Sequence, residues 1–105
     1  MRRVTPGFIL QAAVRGLPEP GPLRIGFTAS RKVGNAVARN RAKRRLRALS
    51  DRVMPAVADM ALDYVFVART ETTLRAFAVM EQDLRHALTK MPKEAKPRAP
   101  KVAQQ

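Results

Sequence analysis

The chain has no cysteine, so neither a disulfide framework nor a thiolate metal site is open to it. Its single histidine, His86, cannot supply an HExxH zinc pair, and no Gly-rich phosphate cradle is present. No apolar run approaches the ~20 residues needed to span a bilayer. Met1-Arg2-Arg3-Val4-Thr5-Pro6 lacks the continuous apolar segment of a signal peptide. Acidic residues are scarce, eight against 21 Lys and Arg, which leaves a net charge of +13. Asp51, Asp59 and Asp63 lie near one another in sequence, but their spacing forms no recognisable metal cage and suits helix ends and turns. Ser30 stands beside Arg31 and Lys32 without a base partner, so a strand-end hydrogen bond is the better account of it than an activated hydroxyl. The expected catalytic set and the expected metal-ligating set are therefore both empty. What remains is a chain of 105 residues, enough for one domain with a modest core. An isoelectric point near 11.7 calls for an anionic partner. With no candidate for a membrane span, a cytoplasmic, RNA-associated protein is expected.

One stretch stands out, Ser30 to Arg47, in which eight of eighteen residues are Lys or Arg and none is acidic. Gly34 and Asn35 break the preceding apolar run, and the Asn35 side chain can accept from a free N–H of a first helical turn. From Ala36 to about Arg52 nothing opposes a helix, and Pro55 sets the expected downstream limit. At about 100° per residue, Ala38, Ala42, Leu46, Leu49 and Val53 share one face, the stripe that should meet a core. Lys43, Arg44 and Arg47 cluster on the far side with Asn40. Arg39 and Arg45 flank the stripe, and Arg41 lies further round. Such cations repel one another by a few tenths of a kcal/mol per neighbouring pair. A merely solvated face would interleave Glu with them, and none is there. The pattern points to nucleic acid as the polyanion that relieves the repulsion. A DNA major groove is the weaker option, because the chain has neither a dimerisation heptad nor helix-turn-helix punctuation.

Around this helix the chain reads in order. Phe8 to Val14 is a strand, and 15–22, with two Gly and three Pro, is a loop. Leu23 to Ser30 alternates as a second strand, with Leu23, Ile25, Phe27 and Ala29 on one face. The short loop suits antiparallel pairing of these two strands. Pro55 to Ala61 reads either as an Ala-rich connection or as one further helical turn. Asp63 to Arg69, aromatic and β-branched and apolar on both faces, has the character of a central strand. Thr72 and Thr73 offer caps for a last helix, in which Phe77, Met80, Leu84, Leu88 and Met91 share one face and His86 lies opposite, exposed. Pro92 should end that helix, and 92–105 should be a basic disordered tail. The order β-β-α-β-α predicts an α+β fold, a small sandwich with a mixed sheet of three to four strands packed by helices, in one domain over residues 1–91. A crossover through the basic helix between parallel strands of one sheet would be right-handed on general grounds.

The residues of the basic stretch also carry a resemblance. Ser-Arg-Lys-Val-Gly-Asn-Ala-Val at 30–37, then Arg39-Asn40-Arg41, then Lys43-Arg44-Arg45-Leu46, resembles the signature of the protein subunit of bacterial ribonuclease P. The match is contiguous with its internal spacing intact, and a looser likeness runs from about Phe8 to Leu88. The resemblance implies a left-handed β-α-β crossover instead of the right-handed one. It implies an RNA subunit that performs Mg²⁺-dependent removal of the 5′ leader from precursor tRNA, with Mg²⁺ bound mainly by that RNA. The protein would bind the catalytic RNA and the leader, with no protein partner required.

Carried over by position, Arg39, Asn40, Arg41, Lys43, Arg44, Arg45 and Arg47 match the basic helix that faces the RNA. Arg31 and Lys32 match the basic pair bordering the leader cleft, and Phe8 the aromatic that starts the first strand. Gln11 and Ser30 complete the leader-cleft candidates. Two departures stand out: Gln11 occupies a position that is often aromatic, and seven residues before Phe8 leave no room for the family's N-terminal helix, which is expected to be missing. The rival reading is a non-enzymatic RNA-binding protein, such as a ribosomal protein, that uses the same helix as a passive phosphate clamp. The contiguous signature favours ribonuclease P.

Overall fold

The run Leu62 to Ala68 holds the densest β-branched and aromatic sequence of the chain, and it takes a place with a partner on each side. In the computed structural model, which describes residues 1–14, 23–58 and 62–95, four strands form one sheet: β1 (Arg2–Val4), β2 (Phe8–Val14), β3 (Arg24–Thr28) and β4 (Leu62–Ala68). Their order is β1-β2-β4-β3. β4 runs antiparallel to β2 and parallel to β3. Two helices, α1 (Ala36–Val57) and α2 (Phe77–Ala95), complete the fold, with 3₁₀ turns at Arg31–Val33 and Thr70–Thr73. This is the expected mixed α+β class. The expected loop over 15–22, the tail beyond residue 95, Asp59 and the burial of Met91 lie outside the described residues.

One face of the sheet is the core. Phe8, Leu10 and Ala12 of β2 and Leu62, Tyr64, Phe66 and Ala68 of β4 pack there with α1 and α2. α1 contributes Ala42, Leu46, Leu49, Val53 and Met54, the first four being members of the stripe read from the sequence. Ala38, the first member, is half-buried. From α2 come Met80, Leu84, Ala87 and Leu88, with Phe77 partly buried beside them. His86 is exposed, as its place opposite that stripe requires.

Several boundaries differ from the sequence reading, each for a physical reason. β2 and β3 are not paired, because β4 lies between them. A strand apolar on both faces gains most from two neighbours, whereas the alternating β3 is only half-buried and tolerates an edge. Residues before Phe8 form β1, paired antiparallel with β2. The intervening turn is closed by the Thr5 hydroxyl, which donates to the Phe8 carbonyl at 2.8 Å and accepts from the Phe8 N–H at 3.1 Å. α1 does not stop at Pro55 but continues to Val57. The proline is exposed while Val53 and Met54 are fully buried, so water can take the carbonyl that its missing N–H leaves free. α2 likewise passes Pro92 and reaches Ala95.

Thr72 and Thr73 do not cap α2, which starts at Phe77. Thr72 is instead fully buried, accepting from the Arg69 N–H at 2.8 Å and donating to the Gly7 carbonyl at 2.6 Å. Arg69 adds a bond from Nη1 to the Thr5 carbonyl at 2.7 Å. This clasp joins the β1–β2 turn to the end of β4. Gly7 fits there because any Cβ would sit 2.7 Å from Met80 Sδ.

A charge pair ties the two helices on their outer side, and a second, within α2, shares its carboxylate. Arg52 Nε donates to Glu81 Oε1 at 2.6 Å and Arg85 Nη2 to Oε2 at 3.1 Å. Those hydrogen bonds, Arg85 first and then Arg52, hold the Glu81 carboxyl below its ordinary value of 4.5, against an opposing effect of burial.

Two measurements check this packing. Leu46→Ala removes a fully buried side chain from the α1 stripe and should lower folding stability by about 2–5 kcal/mol in denaturant titration. Glu81 has a depressed folded value, so its contribution is present above the unfolded value and lost as pH falls through the folded one. Glu81→Gln should therefore melt below wild type at neutral pH, with the gap closing once the pH falls below 4.5. A gap that stayed constant into acid would deny the carboxylate its role.

Candidate nucleic-acid interface

Where β3 ends, the chain makes one tight turn before entering α1. The Ser30 side chain accepts from the Lys32 N–H at 3.3 Å, and the Gly34 N–H donates to the Arg31 carbonyl at 3.1 Å. Gly34 has φ 142°, and a Cβ there would lie 2.9 Å from Ala38 Cβ, so a side chain would be both strained and blocked. Asn35 then caps α1 as its sequence position suggested, its Oδ1 accepting from the Ala38 N–H at 2.9 Å. This turn leaves Arg31 and Lys32 exposed at the strand–helix junction.

Along α1 the buried stripe holds the helix in one rotation, and that fixes where the cations go. α1 carries seven Lys and Arg against the single carboxylate of Asp51. Its first turn has no acidic residue, so nothing there complements the positive end of the helix dipole. Asn40, Arg41, Arg44 and Arg47 are exposed, and Arg39 and Lys43 are half-buried. Among the described residues, no hydrogen bond or ion pair engages the side chains of Arg31, Lys32, Arg39, Arg41, Lys43 or Arg44. Mutually repelling, unpaired cations held on a rigid rod are suited to a row of phosphates.

Arg45 is different. Its Nη2 donates to the Arg75 carbonyl, and its guanidinium carbon lies 5.9 Å from the centre of the Phe77 ring. Arg75 in turn bonds Asp83 at 2.8 Å. Of the cations matched to the basic helix, Arg45 thus has an internal task, joining α1 to the start of α2. Arg47 also touches the fold, over the ring of Phe27 at 5.2 Å.

The second face of the sheet is the other candidate surface. Register places Ile9, Gln11 and Ala13 of β2 beside Val67, Val65 and Asp63 of β4, with Arg2 and Val4 on one flank and Arg24, Gly26 and Thr28 on the other. A depression of about 420 Å³ lies there, lined in part by Arg2, Gln11 and Val65. Gln11 and Ser30 are exposed. Phe8 is not part of this surface. It is fully buried on the opposite face, its ring 5.6 Å from Phe66, and cannot stack on a base. Its leader-cleft assignment rests on the resemblance by position, and a position in sequence does not say which face of the sheet a side chain takes. Arg2 and Val4 were missed because a three-residue strand carries too little periodicity to read.

Asp63 is bonded to Arg24 at 2.8 Å across the sheet, and Asp51 is exposed on α1. Among the described residues, no three His, Asp or Glu side chains converge. No described helix is long and apolar enough to cross a membrane.

Comparison with known proteins adds to this geometry. Residues 1–92 match the family model described as Ribonuclease P. The chain is 49% identical over 92 residues to the ribonuclease P protein component of Paramagnetospirillum magneticum, covering 82% of this chain and 66% of that protein. It is 48% identical over 84 residues to the corresponding protein of Ruegeria pomeroyi, covering 79% of this chain and 67% of that one. The chain thus spans about two thirds of the length of these relatives. The fold is similar to that of the RNase P protein from Thermotoga maritima, with a TM-score of 0.69 at 23% identity over 87% of this chain and 83% of that one.

Arg44, exposed and unpaired, separates binding from folding. Arg44→Gln should leave the melting temperature within about 2–4 °C of wild type, since such surface changes fall within about ±0.5 kcal/mol. The magnitude of the salt slope for binding a structured RNA should fall by somewhat less than about one unit. An early melt with an unchanged slope would mean that this face of α1 serves the fold instead.

Proposed function

The chain belongs to the ribonuclease P family, and from that premise we propose that it is the protein subunit of a ribonuclease P ribonucleoprotein. In this role it binds the catalytic RNA subunit and precursor tRNA, and assists removal of the 5′ leader in the cytoplasm. The observation that carries the proposal is the row of unpaired cations on α1, held outward by a stripe whose central members are fully buried. Electrostatic attraction to phosphate supplies affinity, and the fixed spacing along the helix supplies register. Arg39, Asn40, Arg41, Lys43, Arg44 and Arg47 are the residues assigned to the RNA subunit. Arg31 and Lys32, where the chain leaves β3, are assigned to the leader with Gln11 and Ser30.

The leader contact differs from base stacking. All five aromatic residues, Phe8, Phe27, Tyr64, Phe66 and Phe77, belong to the helix-covered core or pack against it. The second sheet face therefore has no aromatic platform of the kind worth roughly 1–3 kcal/mol per base. A single strand would be held there by phosphate contacts at the β3 end and by the polar Gln11, a mode with little sequence preference.

Hydrolysis belongs to the RNA in this reading, with Mg²⁺ held mainly by it. Among the described carboxylates, Asp63, Glu81 and Asp83 each lie against a guanidinium, which suits them to the framework and not to a metal and so agrees with that division. The cationic face of α1 contributes by neutralising phosphate repulsion where RNA subunit and substrate meet, which lowers the Mg²⁺ needed for the folded complex.

The test is reconstitution. Purified protein added to a ribonuclease P RNA at low Mg²⁺ should restore cleavage of a 5′-extended tRNA. Binding of the RNA without restored cleavage would favour the passive clamp. Specific 5′ maturation by the protein with no RNA subunit present would overturn the division of labour.

A further inference from the structure

Arg47 stands apart from the other exposed cations of α1 because an aromatic ring lies beneath it. Its guanidinium carbon is 5.2 Å from the centre of the Phe27 ring. Phe27 is the half-buried aromatic of the edge strand β3, and its ring is stacked on Phe66 at 5.5 Å and 18°. Phe66 is fully buried and touches Phe8 in turn. The platform under Arg47 is thus anchored through two further rings into the core. Among the described residues, no carboxylate or carbonyl bonds the Arg47 side chain. Its N–H donors, which lie in the plane and at the edge of the group, stay available while the flat face is occupied.

From this geometry we infer that Phe27 is a positioning residue for Arg47, holding its guanidinium across the seam between β3 and α1 so that it meets an RNA phosphate already ordered. An exposed arginine loses rotamer freedom when it binds, and one held beforehand loses less. The neighbouring Arg44 and Arg41 have no such platform and must be ordered by the RNA. Arg47 is also the cation that bridges the helix to β3, the strand that leads into Arg31 and Lys32. At this seam, position, and not charge alone, is built in.

The inference rests on the RNA-binding reading above, and the test separates the two. Wild type, Phe27→Leu, Arg47→Gln and the double variant are compared for affinity to the ribonuclease P RNA across a salt series, beside thermal melts. Loss of the platform should weaken binding about two- to fivefold, the equivalent of an exposed cation–π contact. Phe27→Leu should show that weakening at every salt concentration with the wild-type slope, because the number of phosphates met is unchanged. Arg47→Gln should lower the magnitude of the slope by somewhat less than about one unit. In the Arg47→Gln background, Phe27→Leu should have no further effect. If Phe27→Leu melts early, Phe27→Met replaces it as a flexible side chain of similar volume. Equal weakening in both backgrounds, or none in either, overturns the inference while leaving RNA binding intact. Wild-type protein that fails to bind the RNA removes the reading on which it stands.

Discussion

Burial of the α1 stripe is the constraint on which the rest depends. Seven cations on a 22-residue helix work against that helix, both by mutual repulsion and, in its first turns, by opposing the dipole. Helical propensity of this kind would not sustain such a segment alone. Leu46, Leu49 and Val53, packed with Ala42 and Met54 on the sheet, supply the free energy that does. The same packing sets the rotation of the helix about its axis. Stability and display of charge are therefore one decision.

The sheet that receives α1 is held in place from its far end. The β1–β2 turn is pinned to the end of β4 by Thr72 and Arg69, and the helices are joined by Arg52 on Glu81 and by Arg45 on the Arg75 carbonyl. Each of these uses a polar group whose partner is distant in sequence. Acidic residues are so few that those described in ion pairs serve the framework, which leaves Arg39, Arg41, Lys43 and Arg44 of α1 without an ion pair among the described residues.

Aromatic placement divides the two surfaces by mechanism. With all five rings in the core or packed on it, the second sheet face offers valines, Ile9 and Gln11, and contacts made there are polar and apolar instead of stacked. Phe27 lies beneath the exposed Arg47, as Phe77 lies beneath the half-buried Arg45. In the proposed role, recognition is accordingly carried by the geometry of the cations.

The sequence by itself determined the local features. The Asn35 cap, the stripe from Ala42 to Val53, the exposed run of cations, the central character of β4 and the α+β class all follow from residue type and from periods set by backbone geometry. Family membership was legible too, because the basic signature is contiguous and its spacing intact. What only the tertiary structure decided were relations between distant residues. The insertion of β4 between β2 and β3, the use of Thr72 as a clasp, the turning of Phe8 into the core and the capture of Arg45 by Arg75 and Phe77 depend on which surfaces meet. Periodicity describes one element's faces and is silent on which face another element will cover. Prolines were misjudged for the same reason. Pro55 weakens a helix locally, but the burial of Val53 and Met54 against strands remote in sequence outweighs one lost hydrogen bond.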